Sequence, residues 1–122
     1  MSTESPFTNP SRWINQNELA AAIRDEFPVS PGHTLIIPKR VVTSIFALSE
    51  QEVAACWALL KEEKDRLEKE LAPDGFNIGV NVGSAAGQTV SHVHIHLIPR
   101  FRGDHPFPRG GIRAVIPEKA NY

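Results

Sequence analysis

The amino-acid sequence predicts an α+β fold: an antiparallel sheet with one main helix packed on it. Three observations carry this. An amphipathic stretch of about twenty residues follows a helix-capping signal. Two apolar runs are joined by a glycine-rich connection, and a third, β-branched run is closed by proline.

In chain order, residues 1–10 mix Ser, Thr, Pro and Asn without periodicity. Such a segment buries too little apolar surface to offset its ordering entropy and is expected to be flexible. Residues 18–24, ELAAAIR, have helical propensity, but the breakers at 25–28 stop a helix early, and the reading leans to a strand. Pro31-Gly32 is a turn signal leading into the strand 33–37, HTLII, which Pro38 ends. Ser49 and Glu52 have capping-box spacing, so a helix starts there. Behind it Val53, Trp57, Leu60, Lys64, Leu67 and Leu71 recur at threes and fours as the inner stripe. Glu62, Glu63, Asp65, Arg66, Glu68 and Lys69 form a solvated face. Pro73-Asp74-Gly75 terminates the helix. Residues 76–82 alternate with period two, and the loop 83–87 joins them to a strand over 89–98, which suggests an antiparallel pair. The tail beyond Pro99 carries a short apolar stretch, Ala114-Val115-Ile116, expected to wrap over the core. The organisation is therefore a flexible 1–10, a domain over 11–103 and a tail over 104–122 packing on it.

Thirteen basic against fourteen acidic residues do not suit a reader of long nucleic acid. The lone Cys56 supplies neither an internal disulfide nor a multi-cysteine zinc site and points to a reducing, cytoplasmic compartment. There is no signal-like start, and no apolar run is long enough for a bilayer, so no membrane partner is expected.

The chemistry concentrates in residues 92–96, HVHIH. In a strand His92, His94 and His96 share one face while Val93, Ile95 and Leu97 share the other. Neighbouring rings would stand about 6.5 to 7 Å apart, too far to bond each other, so each needs another partner. A neutral imidazole attacks phosphorus through one nitrogen while the other donates to a fixed acceptor. Residues 83–89 offer backbone amides, the Gln88 amide and the Thr89 hydroxyl to a developing oxyanion. A three-histidine zinc site is the main alternative, but consecutive same-face ligands would have to bend toward one ion, and no metal is expected. His105 reads as an ordinary loop residue.

Residues 87–98, GQTVSHVHIHLI, resemble the signature of the histidine triad family, and residues 31–38, PGHTLIIP, resemble its second block. Asn81 lies at the matching distance before the triad, and the resemblance spans residues 13–103. It implies that His94 attacks the α-phosphorus of a nucleotide, forming a nucleotidyl-histidine that water cleaves. It further implies that His92 and His96 orient and polarise nucleophile and phosphate, that His33 supports them from the neighbouring strand, and that Gln88 contacts the bridging or leaving oxygen. Asp25 would hold the ribose hydroxyls, with Asn81 and Thr89 near the α-phosphate. The family sheet extends across a homodimer, with Trp57 as a contact residue, although Trp57 reads equally well as intrachain core. His96 separates the chain from the transferase branch, Cys56 alone speaks against the zinc-finger branch, and Ile98-Pro99-Arg100 favours dinucleoside polyphosphate hydrolases. The expected substrate is a purine nucleotide of the diadenosine polyphosphate type. The alternatives are an adenosine phosphoramidase and a non-catalytic nucleotide-binding module. No cofactor is required, although Mg2+ would accompany a polyphosphate, and Arg100, Arg102, Arg109 and Arg113 either hold extra phosphates or lie in a solvated tail.

Overall fold

The capping box forms as the spacing predicts. Ser49 Oγ accepts the Glu52 amide at 3.1 Å, and Glu52 Oε1 accepts the Ser49 amide at 2.9 Å. Arg40 donates to the same carboxyl at 2.7 Å and holds it down to about 2. From this cap helix α1 runs Glu50–Leu71 and ends at Ala72, which takes a left-handed φ of 48° ahead of Pro73. The helix thus stops directly before Pro73-Asp74-Gly75, with Ala72 and not Gly75 taking the left-handed conformation.

The computed structural model describes residues 5–122; the flexibility expected of residues 1–4 lies outside them. Five antiparallel strands form one sheet: β1 (Asn15–Gln16), β2 (Ala20–Arg24), β3 (Thr34–Pro38), β4 (Gly75–Val80) and β5 (Ile95–Arg100), in the order β1-β2-β3-β5-β4. The alanine-rich segment 20–24 is a strand, as leaned. Alternation then gives the sheet two faces. Ala20, Ala22, Ile36, Ile95 and Leu97 pack against Cys56, Leu59, Leu60 and Leu67 of α1. Ala21, Ile23, Leu35 and Ile37 form the other face with Phe7, Trp13 and Val90.

Four expectations change. The inner side of α1 is Glu52, Cys56, Leu59, Leu60, Glu63 and Leu67, which keeps Leu60 and Leu67 of the predicted stripe and replaces Val53, Trp57 and Lys64 by their neighbours one position round. Trp57, 57% exposed, points outward with Val53, while the half-exposed Leu71 rests against the turn at Gly32. The seam follows the small alanines of β2, not the largest apolar side chains of the helix. Glu63, placed by charge on the solvated face, is fully buried because Asn15 and Arg66 donate to its Oε2 at 3.0 and 3.1 Å.

Second, β5 begins at Ile95, not at 89, since β3 pairs only with residues 95–97; the Val93 amide bonds the Val42 carbonyl instead. Third, residues 5–10 are anchored through Phe7, which is 6% exposed while its neighbours face solvent, and a 3-10 turn, Pro10–Arg12, follows. One aromatic is enough to anchor a polar segment. Fourth, the tail lies along β4 through the 3-10 turn Gly111–Val115, but Val115 and Ile116 are exposed and do not cover the core. Arg100 makes paired bonds to Asp104 at 2.8 Å, and Arg109 and Arg113 stack over Tyr122, so three of the tail cations are held by local partners. Among the described residues no helix is long and apolar enough to cross a membrane.

Candidate active site

The face of the sheet opposite α1 carries the histidines. Antiparallel pairing of β3 with β5 sets Leu35 across from His96, which brings His33, just ahead of β3, beside the His96 ring. His33 Nε2 and His96 Nδ1 stand 2.9 Å apart. A ring-to-ring bond therefore exists, between strands and not within the triad. Within it, His94 and His96 meet edge-on with centroids 5.1 Å apart, closer than a flat strand gives.

The proton positions follow from fixed backbone groups. The Val29 amide donates to His33 Nδ1 at 3.0 Å, so a neutral His33 carries its proton on Nε2 and donates it to His96 Nδ1. His96 then bears its own proton on Nε2. The His92 carbonyl accepts from His94 Nδ1 at 2.9 Å, which leaves the lone pair of His94 on Nε2. Burial pushes His96 down to about 4, helped by the neighbouring His94 and His33 and opposed by Asp25. Burial likewise lowers His33, against Asp25, and His92, against the Pro38 carbonyl. These three rings are neutral at pH 7.

A cavity of about 470 Å³ opens on this face, lined by Phe7, Asp25, Asn81, Thr89, His94 and His96 among others. The structure thus gathers four predicted residues, Asp25, Asn81, Thr89 and His96, around His94. Asp25 Oδ2 lies 3.5 Å from His33 Nε2, while its Oδ1 accepts the Phe27 amide at 2.8 Å. A separate cavity of about 430 Å³ beside the tail holds Arg100 and His105 and none of the triad.

Two predicted residues stand elsewhere. His92 does not share the open face: it is fully buried, between the Pro38 carbonyl at 2.7 Å and Ser5 Oγ at 2.6 Å, because the regular ladder begins only after it. It orients His94 through its main chain. Gln88 does not line the cavity. Its Nε2 donates to the Thr43 and Val90 carbonyls at 2.8 and 3.0 Å, and its Oε1 accepts the Gly83 amide at 2.9 Å, which commits it to shaping the loop.

Asp25, His33 and His96 bring ligand atoms within 4.8 Å of one another. A metal-bound histidine donates its other N–H to an acceptor. His33 instead faces a donor, the Val29 amide, so a metal on its Nε2 would need an imidazolate. The donor set suits a proton-ordered relay better than an ion.

Sequence reasoning missed Ser5 and Phe7. The Phe7 ring packs on His92 and His94 at 5.7 and 5.1 Å. Its being the single aromatic in a polar segment was the available signal.

The HIT domain family model matches residues 7–103. The chain is 36% identical over 100 residues to the bis(5′-nucleosyl)-tetraphosphatase [asymmetrical] of Schizosaccharomyces pombe, covering 82% of this chain and 55% of that protein. It is 39% identical over 87 residues to the bis(5′-adenosyl)-triphosphatase of Dictyostelium discoideum, covering 71% and 58%. It thus spans little more than half the length of these curated relatives. Among solved structures, a HIT family protein from Bacillus anthracis superposes with a TM-score of 0.72 at 37% identity, over 75% of this chain and 65% of that one. The matched stretch begins at the phenylalanine that packs on the triad and takes in all of the sheet and α1, and on these grounds the chain belongs to the HIT domain, or histidine triad, family.

Proposed function

We propose that the protein is a nucleotide hydrolase that cleaves at the α-phosphate of a purine dinucleoside polyphosphate through a nucleotidyl-His94 intermediate. The observation that carries this is the His94 tautomer. With Nδ1–H bound to the His92 carbonyl, the ring that lines the cavity keeps its lone pair on Nε2. That nitrogen attacks the α-phosphorus, and a P–N bond forms as the P–O bond to the leaving phosphate breaks. The leaving oxygen takes the electron pair and departs as an anion. The positive charge left on the ring is stabilised through Nδ1–H at the carbonyl. Water then adds to phosphorus, the P–N pair returns to Nε2, a proton goes to solvent, and a nucleoside monophosphate leaves.

His96 serves as a neutral donor to a phosphoryl oxygen through Nε2–H, with its proton order set by His33. Asp25 accepts the ribose hydroxyls, and Asn81 and Thr89 bind near the phosphate. No cofactor enters a step; Mg2+ belongs to the polyphosphate substrate it accompanies. The reading includes a homodimer, supported by the outward Trp57 and by β4, an end strand with Ile78 exposed, and a cytoplasmic compartment, supported by the single free Cys56. The names of the two curated relatives support the substrate class.

The test is product analysis after incubation with diadenosine triphosphate, diadenosine tetraphosphate and an adenosine phosphoramidate. AMP is expected from the dinucleotides, and His94→Ala should lower turnover by about three or more orders of magnitude with the thermal midpoint preserved. Rapid quench of an α-labelled substrate should trap phosphorus on His94. AMP release undiminished in His94→Ala would refute the mechanism, and thermal protection without AMP would mark a binding module.

A further inference from the structure

Ser5 sits against the histidine site. Its Oγ lies 2.6 Å from His92 Nδ1 and accepts the Phe7 amide at 3.1 Å. The far side of the ring fixes the protons. His92 Nε2 stands 2.7 Å from the Pro38 carbonyl, which can only accept, so Nε2 carries the hydrogen. A neutral His92 then presents Nδ1 as an acceptor, and the Ser5 hydroxyl donates to it. The serine oxygen still has a lone pair for the Phe7 amide. A doubly protonated ring would turn Ser5 into an acceptor of two N–H groups and leave its own O–H to swing away from the ring.

His92 is fully buried, and its carbonyl receives His94 Nδ1–H at 2.9 Å. A change in the seating of this ring therefore moves the main chain that aims His94. The same segment bears on His94 directly, since the Phe7 ring meets it edge-on at 5.1 Å. Arg12 ties the segment down: it donates to the Pro6 carbonyl at 2.6 Å and pairs at 3.2 Å with Glu26, which lines the same cavity.

We infer that Ser5 is a positioning residue for the nucleophile: its hydroxyl donates to His92 Nδ1 and, with the Pro38 carbonyl on the far side, seats the neutral ring whose own carbonyl orders His94. This rests on the reading of His94 as nucleophile given above.

Ser5→Ala and Ser5→Thr, compared with the unaltered chain, test it through two readouts. Long-range proton–nitrogen NMR reports the tautomers and titration of His92 and His94 independently of turnover. Ser5→Ala should make His92 titrate at higher pH, because a donor to the neutral form has been removed, and should loosen the fixed Nδ1–H tautomer of His94. Ser5→Thr, which keeps the hydroxyl, should retain both. With a diadenosine polyphosphate, Ser5→Ala should lower kcat about tenfold to a hundredfold with KM within about twofold, and move the acid limb of the pH profile upward. Ser5→Thr should recover most of kcat. Unchanged tautomers and titration in Ser5→Ala overturn the inference, as does a kcat loss that threonine fails to recover. If the unaltered protein releases no AMP, the hydrolase reading falls alone, and the NMR comparison still decides the role of Ser5.

Discussion

A primary amide has two N–H donors and one oxygen acceptor, and Gln88 uses all of them on the backbone around residues 83–90 and at Thr43. Its place in the signature suggested contact with a leaving oxygen, yet its bonds are those of a loop brace. Gln88→Ala should therefore cost about 1 to 2 kcal/mol in denaturant unfolding, alongside any loss of activity. A residue acting only on the substrate would leave the unfolding midpoint unmoved. That His94 and His96 share a face was legible in the sequence, because spacing two apart fixes a face, whereas His92, ahead of the strand, departs from it. The partners of each ring were not, since Val29, Pro38 and Ser5 lie 4, 54 and 87 residues away from the histidines they contact. Such bonds depend on how strands are brought together, which no local pattern records.

Between β2 and β3, Gly32 adopts a φ of 85°, and a Cβ there would fall 2.7 Å from Leu67 Cδ2 and 2.8 Å from Leu71 Cδ1. The turn that delivers His33 thus abuts the C-terminal end of α1. Gly32→Ala should destabilise by about 1 to 3 kcal/mol, through both the left-handed backbone and the crowding. It should also lower activity by shifting His33; unchanged midpoint and activity would contradict this. The existence of α1 and its cap was legible because the Ser49 and Glu52 signal is local. Its buried side was misjudged by one position, because the seam depends on what β2 offers. Alanines at 20 and 22 admit the helix closely at Cys56, Leu59 and Leu60, and a buried Glu63 with local donors fits where a charge count expects solvent.

Three histidines with lowered pKa lie in one molecule, and their effect on stability has a definite sign. Protonation of His33, His92 and His96 is favoured in the unfolded chain, near pH 6.5, and disfavoured in the folded one. Their contribution is fully present above about pH 6.5 and is lost as pH falls toward the folded values, about 4 for His96. The thermal midpoint should decline across that window, and His96→Asn should flatten the decline by at most about 1.4 kcal/mol per pH unit. An equally steep decline in the variant would show that His96 is not among the groups responsible. The overall architecture was legible because it follows from two periodicities; the anchoring of residues 5–10 by Phe7 and the exposed tail were not, since composition says little about where a single side chain docks. One feature couples assembly to reactivity. The chain from His94 to Leu97 sends alternate residues to opposite sides of the sheet, imidazoles one way and aliphatics the other. A slip of a single position would push the imidazoles among the leucines of α1 and turn Ile95 and Leu97 to water, so a misregistered molecule forfeits its interior along with its reagent. Quality control of the nucleophile is thereby delegated to folding itself, with no inspection step of its own.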